Sequence, residues 1–194
     1  LKESERLARE LESFREVFGK VIVQVSLSSS APTRVFVFGG PAAFNPYRGS
    51  PQILGFFAPR TDVNIAAILS KPYITDGNGH FDWVTQMRLQ SLAVAYHEYT
   101  HFVLERTFPQ VPWWLGEGLA EYFAMFEKEG SEARVGLPAA HRLPALRHLE
   151  WIPLKTLISG APKGDRRVAY SEAWLATHYI LNGSAMRRKQ LERY

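Results

Sequence analysis

The chain has 194 residues, of which 46% are apolar and 22% are charged. This composition suits one globular domain with an ordinary hydrophobic core and excludes bulk disorder. The chain contains no cysteine, which excludes disulfides, cysteine-ligated zinc and a cysteine nucleophile. The net charge is +4, and its excess lies largely in basic runs at 163–167 and 187–193. We interpret these runs as solvated surface and expect no nucleic-acid partner.

The given sequence shows no segment typical of a membrane-spanning helix or of a signal peptide. No apolar run reaches the roughly 18 residues that a transmembrane helix needs, so no membrane-spanning segment is expected. The chain begins Leu1-Lys2-Glu3, without methionine and without a signal-peptide pattern, which is typical of a processed protein or an excised domain. The sequence does not indicate an oligomeric state.

The first 80 residues predict a helix followed by a small, mainly β lobe. Apolar residues at positions 7, 11, 14 and 18 recur every three or four residues, which predicts an amphipathic helix over 1–19, ended by Gly19. A short helix or loop is expected at 41–49, and Asp76-Gly77-Asn78-Gly79 is typical of a loop. Runs rich in β-branched and aromatic residues predict four strands, at 21–27, 35–38, 55–58 and 63–69.

From residue 81 onward the pattern is helical. A long helix is predicted from Trp83 to Thr107, and a second from Pro112, which is favoured in a first turn, to Glu127. The order of elements predicts one α+β domain over 1–194, with a helix and β lobe at 1–80 and a helical lobe at 81–194. Further helical stretches are expected near 139–149, 153–159, 168–182 and 185–194.

The long helix contains the motif H-E-x-x-H at His97-Glu98-Tyr99-Thr100-His101. Residues i and i+4 of a helix lie on one face, so both imidazoles can bind one Zn²⁺. Glu98 is displaced by about a quarter turn, where it can reach a water molecule without ligating the metal. That arrangement suits a general base.

The surroundings of the motif sharpen this interpretation. Residues 92–104 are apolar nearly all round the helix, apart from His97, Glu98, Thr100 and His101, and such a helix is buried. Burying ionisable groups together is costly unless they are paired or bind a metal. The alternative is a pair of core histidines whose hydrogen bonds are satisfied within the protein.

A third ligand is expected from the second helix, in the segment 112–122. Glu117 lies near the start of that helix between Gly116 and Gly118, which allow close approach of the backbones. Glu121 follows one turn later and suits a hydrogen bond to the free ring nitrogen of a zinc-bound histidine. Two alternatives stay open: Glu121 is a surface carboxylate, or Glu117 and Glu121 exchange roles.

Together the two segments resemble the gluzincin clan of zinc metallopeptidases. His97-Glu98-Tyr99-Thr100-His101 followed by Leu115-Gly116-Glu117-Gly118-Leu119-Ala120 is similar to the HExxH…NEGxA pattern of the aminopeptidase N branch. Residues 112–122 resemble the bacterial peptidase-MA-like domains more closely still. The resemblance covers residues 55–182 and is most specific over 93–122. It implies a thermolysin-like zincin fold, with zinc in a cleft between a β lobe and a helical lobe, and a location in the bacterial cell envelope or outside the cell.

The resemblance also implies roles for single residues. His97, His101 and Glu117 match the zinc ligands, Glu98 the base, and Glu121 the acidic residue that orients a zinc-bound histidine. Tyr170, within Val168–Trp174, is placed like a tyrosine that stabilises the oxyanion. The alternatives are that Tyr170 is a core tyrosine, since buried tyrosines are common, or that His178 takes this role.

Two departures from the family pattern bear on the reaction. Gly116 stands where the family has asparagine, and no G-x-M-E-N segment precedes the long helix. Since that segment holds the free N-terminus of an aminopeptidase substrate, its absence favours an endopeptidase. The predicted function is therefore zinc-dependent hydrolysis of a peptide or protein substrate. The alternatives are a catalytically silent zinc-binding scaffold and a zinc hydrolase of non-peptide amides or esters.

Substrate binding is expected at the edge of the β lobe. Peptides commonly add a strand to an exposed sheet edge, where main-chain hydrogen bonds provide affinity. The candidate strands are 55–58 and 63–69, and we expect the longer one, 63–69, to form this edge. Its nearly continuous apolar run also fits the alternative of an internal strand.

Overall fold

A computed structural model describes residues 2–22, 31–50, 53–69, 82–108, 110–160 and 164–191. Its mixture of helices and strands agrees with the predicted α+β class. The chain divides into two compact units, Leu1–Val103 and Leu104–Tyr194. The predicted arrangement, one domain with lobes at 1–80 and 81–194, stays a prediction.

The first unit begins with helix α1, which spans Lys2–Val21. The apolar spacing is confirmed, because Leu7, Phe14 and Phe18 are buried. The predicted end at Gly19 is wrong: the Ile22 amide still donates to the Phe18 carbonyl at 3.0 Å. A glycine near a helix end costs only about 1 kcal/mol, which the last turn tolerates. Val21 is thus helical, and residues 23–27 of the predicted first strand lie outside the described residues.

A three-stranded sheet follows, with β1 at Thr33–Phe38, β2 at Gly55–Ala58 and β3 at Asn64–Leu69. The strand order is β1-β3-β2, with β3 parallel to β1 and antiparallel to β2. The expectation that 63–69 forms the sheet edge is therefore wrong, since β3 is flanked by β1 and β2. The physical reason is its run of buried side chains at 66–69, which suits a strand covered on both faces. The short helix α2, Pro41–Phe44, and a 3-10 turn at Asn45–Tyr47 precede β2.

Helix α3 spans Asp82–Thr107, in close agreement with the predicted helix. Within the first unit, Phe14 of α1 stacks on Tyr96 of α3 with ring centroids 4.4 Å apart. Phe57 of β2 contacts Phe102 of α3 at the same separation of 4.4 Å. Aromatic packing from both α1 and the sheet therefore holds the helix that carries the motif. The predicted loop at 76–79 lies outside the described residues.

The second unit contains the helix that carries Glu117. Helix α4 spans Trp113–Ala124, so it begins one residue after the predicted start at Pro112, which is its N-cap. It ends at Ala124, three residues before the predicted Glu127. Glu127 is instead the first residue of a hairpin, which consists of β4, Glu127–Glu129, and β5, Glu132–Arg134. The predicted later helical stretches are present as α5 (Leu143–His148, after a 3-10 turn at Ala140–Arg142), α6 (Leu154–Ile158), α7 (Arg166–Leu181) and α8 (Ala185–Leu191). Residues 192–194 of the last predicted stretch lie outside the described residues.

Candidate metal centre

His97 and His101 present their rings to each other from consecutive turns of α3. Their Nε2 atoms are 3.1 Å apart. Two nitrogens bound to one tetrahedral zinc, each about 2.0–2.1 Å from it, lie about 3.3 Å apart. The pair is therefore already close to the spacing that a shared zinc ion requires. Because 3.1 Å is also a hydrogen-bond distance, the two histidines alone do not distinguish a metal site from a pair of core histidines that are hydrogen-bonded to each other.

Glu117 of α4 adds a third candidate donor group. One ligand atom each from His97, His101 and Glu117 lie within 4.8 Å of one another, and all three side chains are half-buried. This upper limit exceeds the ligand spacing of about 3.3 Å in a tetrahedral zinc site. Two imidazoles and one carboxylate form a donor set typical of catalytic zinc. The residues present therefore fit a zinc ion.

Glu98 is half-buried and lies on the wall of a cavity in the first unit. The cavity has a volume of about 370 Å³ and is lined by α1, α3 and the sheet. On α3, Glu98 shares its face with Ala95 and Phe102, which also line the cavity, and it directly follows His97. The carboxylate therefore lies beside both a candidate metal ligand and a space that can hold a ligand.

Glu121 of α4 is buried, so the alternative of a surface carboxylate is wrong. Arg142 donates to it twice: Nε lies 2.8 Å from one carboxylate oxygen, and Nη2 contacts the other. His141 Nε2 is 3.6 Å from the same carboxylate. Burying a carboxylate is costly unless it is paired, and this guanidinium supplies the pairing. The predicted hydrogen bond from Glu121 to a zinc-bound histidine stays a prediction.

Tyr170 lies on α7, half-buried, so it is not a core tyrosine. Its hydroxyl accepts a hydrogen bond from Arg166 at 3.2 Å, and Trp113 packs edge-on against its ring with centroids 5.5 Å apart. Burial raises the pKa of Tyr170, and the negative charge of Glu117 raises it further, whereas Arg166 lowers it. The influence of Glu117 on this pKa indicates that Tyr170 lies near one of the candidate ligands.

Sequence reasoning missed Arg142 and the specific contact of Arg166. Arg142 is 21 residues from Glu121, and no local pattern links them. Arg166 precedes Tyr170 by four residues on one helix, and that spacing could have revealed it.

The remaining histidines are less informative. His178, the alternative to Tyr170, packs against the ring of Trp174 at 5.2 Å. His148 is exposed, and His80 lies outside the described residues.

Comparison with protein-family models, with curated proteins and with solved structures found no match. Within the part of the chain that the structure describes, no helix has the length and apolar character needed to cross a membrane. The case for a function therefore depends on the site residues and on the motif resemblance.

Proposed function

We propose that this chain is a zinc-dependent metallopeptidase of the gluzincin type, and an endopeptidase rather than an aminopeptidase. The observation that supports it is the grouping of His97, His101 and Glu117 within 4.8 Å of one another, next to the intact carboxylate of Glu98. A thermolysin-like fold and a location in the bacterial cell envelope or outside the cell belong to the same proposal, because they follow from the resemblance of residues 93–122.

In this proposal His97 and His101 hold the ion through Nε2 and Glu117 through a carboxylate oxygen. Zinc, when bound, supplies Lewis-acid polarisation of the scissile carbonyl and a lowered pKa of water. The Glu98 carboxylate takes a proton from the attacking water and delivers it to the leaving amine. Tyr170 donates its hydroxyl hydrogen to the developing oxyanion. Arg166 leaves that hydrogen available, because it donates to the hydroxyl oxygen and does not accept from it.

Strand β2 is the remaining candidate for the strand that holds substrate. Among the described strands it pairs with β3 on one side, and in this proposal its other edge takes an extended peptide. Backbone pairing of this kind suits an endopeptidase, because it binds the substrate peptide on both sides of the cut and does not depend on particular side chains.

Replacing Glu98 with glutamine tests the proposal. Glutamine keeps the size of the side chain but cannot accept the proton of water, so Glu98→Gln should retain zinc and fold while losing about a hundredfold or more in kcat. The measurement is digestion of casein and of a peptide library. The matched control is Glu105→Gln, an exposed carboxylate on the same helix, which should cleave like the parent.

The outcomes separate the proposal from its alternatives. A parent protein that binds zinc but cleaves no peptide, while it hydrolyses simple esters or amides, indicates a non-peptide hydrolase. Zinc binding without any hydrolysis indicates a scaffold. If Glu98→Gln cleaves peptides as fast as the parent, Glu98 is not the general base.

A further inference from the structure

Helix α8 carries three consecutive basic residues. Arg187, Arg188 and Lys189 lie within Ala185–Leu191, and none of them forms an ion pair with a residue that the structure describes. The sequence has no aspartate or glutamate from 173 to 191, so these three cations give the stretch a net positive charge. A surface of this kind attracts an anionic partner.

Two of these side chains are held against the C-terminal end of α7. The Arg187 guanidinium lies over the ring of Tyr179, with its central carbon 4.0 Å from the ring centroid. Arg188 Nη1 donates to the carbonyls of Leu181, at 3.2 Å, and Gly183, at 3.1 Å. A Cβ at Gly183 would lie 2.7 Å from Arg187 Cδ, so the glycine leaves the space that Arg187 occupies. Contacts with α7 therefore fix the positions of these two cations.

Apolar side chains are exposed beside the same cations. Met186 directly precedes Arg187 and is 72% exposed, and Tyr179 is 59% exposed although Arg187 lies over its ring. Apolar groups next to lysine and arginine are the combination found at sites that lie in a membrane interface. We call this surface the α8 patch, and it consists of Tyr179, Met186, Arg187, Arg188 and Lys189.

We propose that the α8 patch binds the surface of an anionic phospholipid bilayer. The cations contact lipid phosphates, and Met186 and the ring of Tyr179 enter the boundary between headgroups and acyl chains. Tyrosine favours this interface, and each lysine or arginine near an anionic bilayer strengthens binding about fivefold. Because the attraction is largely electrostatic, the binding is reversible and weakened by salt. It does not depend on the proposed peptidase activity.

Nucleic acid, the other large polyanion, fits the patch less well. Single-stranded bases stack on open aromatic faces, but Arg187 covers one face of the Tyr179 ring. The exposed Met186 has no counterpart among the groups that contact a phosphate backbone. Both features favour a bilayer, which offers phosphates and an apolar layer together.

Sedimentation of the full chain with vesicles tests the proposal. The parent should bind vesicles of equal parts phosphatidylcholine and phosphatidylglycerol at least about tenfold more tightly than vesicles of phosphatidylcholine alone. The double variant Met186→Gln/Lys189→Gln changes two exposed residues, so it should fold and should weaken this binding at least about tenfold. The matched control is Leu154→Gln/Lys155→Gln, which removes an exposed apolar side chain and an exposed lysine from α6. It should bind like the parent.

Several results of this experiment overturn the proposal. Equal binding to both kinds of vesicle, or binding to neither, shows that the patch does not recognise an anionic bilayer. Parent-like binding by Met186→Gln/Lys189→Gln, or an equal loss in both double variants, shows that binding does not depend on the α8 patch. If a single-stranded oligonucleotide displaces the chain from anionic vesicles at equal phosphate concentration, the patch favours nucleic acid instead.

A fluorescent label at Met186 tests whether this residue enters the bilayer. The chain has no cysteine, so Met186→Cys carries a polarity-sensitive fluorophore at one position only. Its emission should shift to shorter wavelength on anionic vesicles, while the same label on Leu154→Cys should not shift. An unshifted label at Met186 contradicts the proposal, and so does an equal shift at both positions, because the bilayer contact would then not be specific to α8.

Discussion

At the scale of single residues, the buried Glu121 carboxylate is paired with the guanidinium of Arg142. The Glu121 side chain is 5% exposed and that of Arg142 is 22% exposed, so water screens their pairing little. Arg142 also lies over the ring of Tyr170, with its guanidinium carbon 5.3 Å from the centroid. One arginine thus neutralises a carboxylate on α4 and packs against a tyrosine on α7.

Arg142→Met should therefore destabilise the fold. Methionine preserves apolar volume but leaves Glu121 buried without its guanidinium, which costs on the order of 3 kcal/mol in the free energy of unfolding. The matched control is Arg134→Met, whose pair with Glu127 is about half exposed on both sides and should contribute about 1 kcal/mol or less. Urea denaturation measures both values. Equal losses would show that burial of the Glu121 pair has no energetic consequence.

A second buried carboxylate links stability to pH. Glu172 of α7 is buried and accepts a hydrogen bond from the Ile152 amide at 2.7 Å. Burial raises the pKa of Glu172, and the amide hydrogen bond opposes this only in part. The folded chain therefore holds the proton to higher pH than the unfolded chain, so ionisation at rising pH lowers the free energy of unfolding.

Glu172→Gln removes this dependence, because glutamine keeps an oxygen for the Ile152 amide but does not ionise. Relative to the parent, the variant should gain stability as the pH rises from about 4, near the ordinary glutamate pKa, to neutral pH. Denaturant unfolding at the two pH values measures the change. A stability difference that is the same at both would contradict the raised pKa.

At the scale of secondary-structure elements, the two glycines of α4 have different surroundings. A Cβ added at Gly118 would lie 2.1 Å from Thr177 Oγ1 and 2.4 Å from the Ala173 carbonyl oxygen, both on α7. A Cβ added at Gly116 would meet only Val111 Cγ1, at an ordinary 3.6 Å. Of these two glycines, only Gly118 is therefore required for the close approach of α4 and α7.

Gly118→Ala and Gly116→Ala should therefore change stability in opposite directions. The first forces α4 and α7 apart against a backbone oxygen, which should cost about 1–3 kcal/mol or more. The second replaces a glycine inside a helix and should stabilise it by up to about 1 kcal/mol. Thermal and urea unfolding of the two variants measure both effects. A neutral Gly118→Ala would mean that the two helices can separate without loss.

At the scale of the whole molecule, zinc binding should stabilise the folded chain. A ligand that binds only the folded state at a hundred times its Kd adds about 2.7 kcal/mol, which corresponds to about 5–10 °C in the Tm of a chain of this size. Protein purified without added zinc should contain close to one equivalent, and chelation should lower its Tm. His101→Ala should lose both the metal and the response to chelation.

The control for the zinc prediction is His148→Ala, because this histidine is exposed and outside the candidate ligand group. It should retain metal and the chelation response. Full zinc content in His101→Ala would show that the ion, if bound, lies elsewhere.

The sequence by itself determined those features that depend on neighbours a few residues apart. The H-E-x-x-H spacing places His97 and His101 on one face of a helix whatever surrounds it, and the structure has their Nε2 atoms 3.1 Å apart. The bounds of β2 and the start of α4 after Pro112 were predictable for the same reason, because propensity, periodicity and helix-start signals act over one or two turns.

Only the tertiary structure decided which segments meet. The position of β3 inside the sheet, the pairing of Glu121 with Arg142 and the need for glycine at 118 each involve residues far apart in the chain. For the strand and the carboxylate the local pattern allowed two outcomes: an edge or an internal strand, and an exposed or a buried side chain. For the glycines it gave the close approach to both, whereas the structure requires it only of Gly118. Burial and steric exclusion between distant elements select the outcome in each case, and these forces exist only once the chain is packed.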